Sequence, residues 1–258
     1  MPGRLARRVA LITGGGGGIG AATGRLFAEE SAAVALVDSD PAVVERTAET
    51  IRREVAGAAV LPVTADVAQE AEARRAVEQA AAHFGALHCL VNLAGIRLYT
   101  PLAAADAKEW ERIIGVNVLA TAYACKAAIP HLRAAGGGTI VNVSSVYGVM
   151  GRAGMGQYDT TKAALLGFTR ALAVEEAPHG IRVNAVCPGG TITPYHIRRA
   201  AESGVSEAQL RASRQGDNLL GRFAEPREVA HPILFLACEE SSFITGATLM
   251  VDAGRSIL

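Results

Sequence analysis

The sequence predicts an α/β fold: one doubly wound parallel sheet with helices on both faces, in a single domain spanning residues 1–258. Three observations predict it. Short β-branched runs alternate with longer helical segments along the whole chain. Those runs are apolar on both faces, as parallel strands covered from both sides must be. No internal repeat and no linker rich in Ser, Pro or charge divides them. Half of the residues are hydrophobic, and a chain of this length hides roughly 75% of its unfolded surface.

The elements follow in order. Residues 9–12 form the first strand and lead into a glycine run that opens a helix. Residues 34–37 form the second strand, after which Asp40-Pro41 supplies a helix N-cap and a proline at the first helical position. Strands follow at 60–63, 89–91, 140–143, 183–186 and 249–251. Asp106-x-x-Glu109 and Ser206-x-x-Gln209 have capping-box spacing, and Pro226 opens another helix. The stretch 189–224 holds the Ser206 helix but no strand. An irregular segment of that length in an α/β domain predicts a lid over the substrate site.

Composition excludes several classes. The net charge is zero and the pI about 7.0, so nothing draws the chain to nucleic acid or an anionic membrane. Cys89, Cys125, Cys187 and Cys238 are far apart and read as buried free thiols, without a disulfide framework or zinc site. No pair of histidines has metal-ligand spacing, so no metal is expected. The apolar run after the basic 1–8 segment is shorter than the roughly 7–15 residues of a signal-peptide core. No stretch approaches the roughly 20 consecutive apolar residues of a membrane span. A cytoplasmic protein is expected.

Thr13-Gly14-Gly15-Gly16-Gly17-Gly18-Ile19-Gly20 lies between a strand and a helix, where glycine lets backbone N–H groups approach a pyrophosphate. Gly15-x-Gly17-x-x-Gly20 and Gly14-x-x-x-Gly18-x-Gly20 can both be threaded through it. Either makes the sheet Rossmann-type. Asp38 ends the second strand, 18 positions past Gly20, where a carboxylate would bind the adenosine ribose hydroxyls and repel a 2′-phosphate. No Arg or Lys lies in the run, so the expected cofactor is NAD(H).

Ser144-Ser145 closes the strand at 140–143, and Tyr158 and Lys162 share one face of the next helix. An ammonium there favours the phenolate, so the tyrosine can exchange a proton with a substrate hydroxyl as hydride moves to or from nicotinamide. Ser145 would hold the substrate oxygen.

With these motifs the chain resembles the short-chain dehydrogenase/reductase family in its compact form of about 250 residues, over its entire length. The resemblance selects Thr-Gly-x-x-x-Gly-x-Gly, and so Gly14, Gly18, Ile19 and Gly20, as the cofactor turn. It implies that Asp66 and Val67 meet the adenine. Asn92-Leu93-Ala94-Gly95 is similar to the family's Asn-Asn-Ala-Gly, with Leu93 in place of the second Asn, and brings Asn92, Ala94 and Gly95 to the cofactor. It implies that Pro188, Gly189, Thr191 and Thr193 hold the nicotinamide end, and that Asn117 joins Ser145, Tyr158 and Lys162 through a water-linked relay. It further implies a homotetramer built on the helices at 106–133 and 158–176 and on the C-terminal segment. The expected function is oxidoreduction between NAD(H) and a small secondary alcohol or ketone, with Tyr158 as general acid/base. The alternatives are an NADP(H)-dependent ketoreductase of biosynthesis and a non-catalytic dinucleotide-sensing protein. Arg97, Tyr99, Tyr147, Arg152 and Met155 are expected near the substrate, and Arg97 or Arg152 is a candidate for binding a polar or anionic substituent.

Overall fold

The computed structural model describes residues 3–213 and 217–258; Met1, Pro2 and the 214–216 part of the expected lid lie outside the described residues. The chain alternates β1 (Val9–Thr13), α1 (Gly18–Glu29), β2 (Ala33–Asp38), α2 (Pro41–Glu54), β3 (Val60–Thr64), α3 (Glu70–Phe84) and β4 (Cys89–Asn92). It continues through α4 (Ala107–Ile114), α5 (Ala120–Ala134), β5 (Gly138–Val143), α6 (Gly156–Glu176) and β6 (Ile181–Pro188). Helices α7 (Pro194–Glu202), α8 (Glu207–Ala212) and α9 (Pro226–Ala237) precede β7 (Thr248–Val251).

All seven strands are parallel, in the order β3-β2-β1-β4-β5-β6-β7. Alternation along each strand divides the core. Ala10 and Ile12 of β1 and Val34 and Leu36 of β2 face Phe27, Ile51 and Ile233, on α1, α2 and α9. Leu11, Ala35 and Val37 face Val77, Ala124 and Leu172, on α3, α5 and α6. Two buried faces explain why the strands read as continuous apolar runs. The strand order reverses between β1 and β4, and ligands of open α/β sheets bind outside the carboxyl ends of the strands at such a point.

The four cysteines are free and buried. Asp40 caps α2 by accepting from the N–H groups of Ala42 and Val43. Ser206 and Gln209 form the full reciprocal capping box. Asp106 forms only half of one: it accepts from Glu109 N at 2.8 Å, while the Glu109 carboxylate turns to the Thr100 hydroxyl at 2.7 Å. Arg52, in the last turn of α2, donates to the Val60 carbonyl at 2.7 Å.

A π-helical turn, Gly115–Leu119, joins α4 to α5. The combined helix Ala107–Ala134 has a mean hydropathy of 1.4 over 18 residues, long and apolar enough by those measures to cross a membrane. Its alanines raise the average without forming the uninterrupted apolar run that the sequence lacks. In this fold its apolar side packs on α3 and on β4 and β5.

The stretch 189–224 departs from expectation in one respect. Besides the Ser206 helix it contains α7, and Thr191 makes an isolated parallel bridge to Ala224 that closes the segment on itself.

Candidate active site

A cavity of about 710 Å³ opens at the carboxyl ends of the strands. Its floor begins at the glycine turn. Gly17 precedes α1 without a side-chain cap, and no acidic residue occupies the first turn, so the helix presents uncompensated N–H groups. Gly18 needs a positive φ of 54° and sits against the Thr193 methyl. Gly20 has no such φ, but a Cβ there would lie 2.0 Å from the Gly14 carbonyl oxygen. The turn is therefore a cradle that side chains would fill.

Asp38 closes one end of the cavity. Its carboxylate accepts from Gly16 N at 3.0 Å and Asp40 N at 3.2 Å, and lines the cavity beside Asp40. The cap of α2 is Asp40, so Asp38 is not the helix-capping acid. These features fit a dinucleotide: free N–H groups at a helix start for the pyrophosphate, and a fixed carboxylate one strand away for a ribose diol.

At the other end, β4 and β5 bring the reactive side chains together. Thr13 Oγ1 accepts from the N–H groups of Leu93 (3.1 Å) and Ala94 (3.3 Å), fixing the turn after β4 against β1. Lys162 Nζ is buried and donates to the Val143 carbonyl at 2.9 Å, and lies 5.7 Å from the centre of the Tyr158 ring. Ser144 donates to the Lys162 carbonyl at 2.7 Å, which ties the start of α6 to β5 and leaves Ser145 to face the tyrosine. Burial alone pushes the Tyr158 phenol up. The Lys162 ammonium, the Arg97 guanidinium, a hydrogen bond with Ser145 and Arg152 outweigh it, and the phenol lies below its ordinary value. Burial lowers Lys162 and Arg97 adds to that lowering, although Tyr158 opposes it.

Most of the expected positions meet here. Gly14, Gly18, Ile19 and Asp38 line the dinucleotide end; Ala94, Gly95, Ser145, Tyr158 and Lys162 line the reactive end; Pro188, Gly189, Thr191 and Thr193 line the wall between β6 and α7. Five do not line it. Gly20 packs behind the turn. Asp66 accepts from Ala68 N at 3.0 Å at the start of the α3 approach, with Val67 buried beside it. Asn92 donates beneath the sheet end to Asn142 at 2.9 Å. Asn117, within the π turn, donates to the Ile96 carbonyl and to Thr161 Oγ1, both at 3.0 Å, and accepts from Ile96 N at 2.8 Å. It thereby fixes the loop that carries Arg97.

Of the residues expected near substrate, Arg97, Tyr147 and Arg152 line the cavity, whereas Tyr99 and Met155 stand behind it. Met155 packs with Tyr158 and Ile113, and Trp110 leans on the same cluster rather than on the sheet. Arg198 and Asn218 of the expected lid line the cavity, and so do Arg112 and Arg255, which arrive from the flank of α4 and from the last residues of the chain, positions that no local pattern ties to a site.

The family profile described as enoyl-(acyl carrier protein) reductase matches residues 15–256. Cis-4-hydroxycyclohexanecarboxylate dehydrogenase of Sinomonas cyclohexanicum is 42% identical over 253 residues, covering 97% of each chain. The chain belongs to the short-chain dehydrogenase/reductase family. Another family member, cyclopentanol dehydrogenase of Comamonas testosteroni, is 38% identical over 98% of each chain. Among solved structures, 3-ketoacyl-(acyl-carrier-protein) reductase from Brucella melitensis complexed with NADH superposes with a TM-score of 0.86 at 36% identity, covering 98% of this chain and 99% of that one.

Proposed function

We propose that this short-chain dehydrogenase/reductase interconverts a secondary alcohol and its ketone with NAD(H), with Tyr158 as the general acid/base. The observation that carries this reading is the buried Tyr158 phenol held below its ordinary value by Lys162, next to Ser145 and within one cavity with the glycine cradle. Two relatives are, by name, dehydrogenases of ring alcohols, which fits the same chemistry.

A nicotinamide bound against the wall between β6 and α7 would accept or supply the hydride. Tyr158, as phenolate, takes the hydroxyl proton while the C–O bond becomes a carbonyl; in reduction the phenol returns it. Ser145 orients the substrate oxygen, and Lys162 holds the phenolate by its charge. Asn117 keeps the 96–97 loop in place and stands near the lysine, as a proton relay needs. The preference for NAD(H) rests on charge: a 2′-phosphate would face the carboxylates of Asp38 and Asp40 together.

Helix α7 acts as part of a lid, joined to the 96–100 loop by Arg97–His196 and Tyr99–Tyr195. A homotetramer is the proposed working form, and the fully exposed Phe243 and mostly exposed Val174 are apolar surface for it to cover. Buried free thiols fit the reducing cytoplasm.

A second reading, a reductase of carrier-bound acyl chains, draws on the family profile's description and the Brucella relative. Fluorescence titration with NADH and NADPH, followed by an alcohol screen with NAD⁺, tests both. Tighter NADH binding with oxidation of a secondary alcohol is the expected result. Tighter NADPH binding, or turnover restricted to ketoacyl thioesters, favours the second reading, and binding of neither cofactor overturns both.

A further inference from the structure

The cavity around Tyr158 carries more positive charge than Lys162 alone supplies. Arg97 is half-buried, with its guanidinium carbon 5.4 Å from the centre of the Tyr158 ring. Arg152 lies 5.3 Å from the same ring, and Lys162 Nζ 5.7 Å. Arg112 and Arg198, both exposed, line the same cavity from α4 and α7.

Acidic side chains are few there. Asp38 and Asp40 belong to the β2 end, and Asp217 lies 3.1 Å from Arg255. Among the described residues, no carboxylate comes within ion-pair distance of Arg97, Arg112 or Arg198. This contrasts with the many surface arginines that pair, such as Arg25 with Glu54 at 2.6 Å and Arg227 with Glu29 at 2.7 Å. Arg152 does have a partner, Asp159 at 3.2 Å, and stacks on Tyr147 at 3.7 Å. Its Nη2 is nevertheless buried without an acceptor.

A neutral substrate closing over this wall would strip water from Arg97 and give no charge in return. Desolvating a cation without a counter-charge is strongly unfavourable, whereas an oxyanion offers a guanidinium two parallel acceptors. We propose that the alcohol taken by this cleft is an anion, a hydroxy acid whose carboxylate seats on Arg97, while its hydroxyl faces Tyr158. This substrate class rests on the alcohol-dehydrogenase reading given above. Because Arg97 stands beside Tyr158, the carboxylate and the reacting hydroxyl share one side of the cleft.

The test separates the two ideas by using a ligand that cannot react. Cyclohexanecarboxylate has the anion but no hydroxyl; its binding to the enzyme with NADH present is measured by calorimetry, with cyclohexanecarboxamide as the neutral twin. The acid is expected to bind at least tenfold more tightly than the amide, and Arg97→Gln is expected to remove that preference. Thermal unfolding and NADH titration of Arg97→Gln establish that the variant is folded, and Arg97→Lys, which keeps the charge, is expected to retain part of the preference. Equal binding of acid and amide to the wild-type protein overturns the proposal. In parallel, cyclohexanol and its ring carboxylates are offered with NAD⁺. Turnover of cyclohexanol without any preference for acids sinks the anion site and leaves the dehydrogenase reading standing. Acid-selective binding without turnover of any alcohol does the reverse.

Discussion

Arg97 Nη1 lies 2.7 Å from His196 Nε2, and chemistry fixes the direction of that hydrogen bond. A guanidinium only donates, so Nε2 accepts, and a neutral imidazole then carries its proton on Nδ1. That proton points to Thr193 Oγ1 at 2.7 Å. Thr193 in turn faces Gly18 at the start of α1, where an added Cβ would come within 3.1 Å of its methyl. One chain of contacts thus runs from the glycine turn across α7 to the guanidinium beside Tyr158.

Removing the imidazole should release α7. His196→Ala is expected to speed amide exchange across Pro194–Glu202 several-fold and to raise KM for the alcohol more than it lowers kcat. Hydrogen–deuterium exchange checks this directly; unchanged protection of α7 would show that the Tyr99–Tyr195 contact and the stacking of Arg199 on Tyr99 hold it without the imidazole.

Tyr158→Phe should lower kcat by about 10²–10⁴-fold, the usual worth of a positioned acid/base. Oxidation requires the phenolate, so its rate should rise with pH and level off below the ordinary phenol range. Lys162→Met removes a cation that favours the phenolate, which raises the phenol and moves that rise to higher pH. A pH profile of kcat/KM for each protein reads the shift, and an identical midpoint in Lys162→Met would exclude the charge argument.

Asp38→Ala should weaken NADH and strengthen NADPH, changing the ratio of their dissociation constants by about 10- to 100-fold, the equivalent of one lost charge-assisted hydrogen bond and one relieved repulsion. Fluorescence titration with both cofactors provides the ratio. The fold should tolerate the change, because Asp40 rather than Asp38 caps α2.

Glu228 is held down to about 2, first by its hydrogen bonds from Arg222 and then by the Glu225 backbone N–H. A carboxylate depressed in the folded state stabilises above its ordinary value of 4.5 and loses that contribution as pH falls toward 2. Both partners are about half exposed, so solvent screening keeps the contribution of the pair small. Glu228→Gln should therefore unfold a few degrees lower at pH 7, with the gap narrowing between pH 4.5 and 2. Calorimetric scans at pH 7 and pH 3 settle whether it does.

Strand positions were readable because each carries a local signal: every strand begins and ends within two residues of its apolar run, and the β1–α1 turn announces itself in glycine. Ser145, Tyr158 and Lys162 were readable as spacing along β5 and α6. Helix α7 was not, although Thr193 and Pro194 mark its start. It is only nine residues long and Ile197 is its one large aliphatic side chain, so its period is too short to stand out from the loop around it, and its partners lie in the 96–100 loop. The half capping box at Asp106 failed for a related reason: Thr100 competes for Glu109, and nothing near Asp106 in sequence reveals Thr100 as a neighbour. Arg112 and Arg255 reach the cavity through tertiary packing alone.

The closed bridge between Thr191 and Ala224 separates two kinds of inheritance in this protein. The glycine turn, Asp38 and Ser145 hang from strand ends, and Tyr158 and Lys162 ride on a helix tied to β5 through Val143 and Ser144, so a seven-stranded lattice holds them all. What is proposed to recognise the remainder of a substrate sits on excursions from that lattice: the 96–100 loop with Arg97, the turn with Arg152, and α7. Substitutions in those excursions can exchange one substrate for another while the proton-transfer geometry stays fixed. An ancestral enzyme of this shape could diversify by rewriting its periphery, and a protein engineer could start from the same seam.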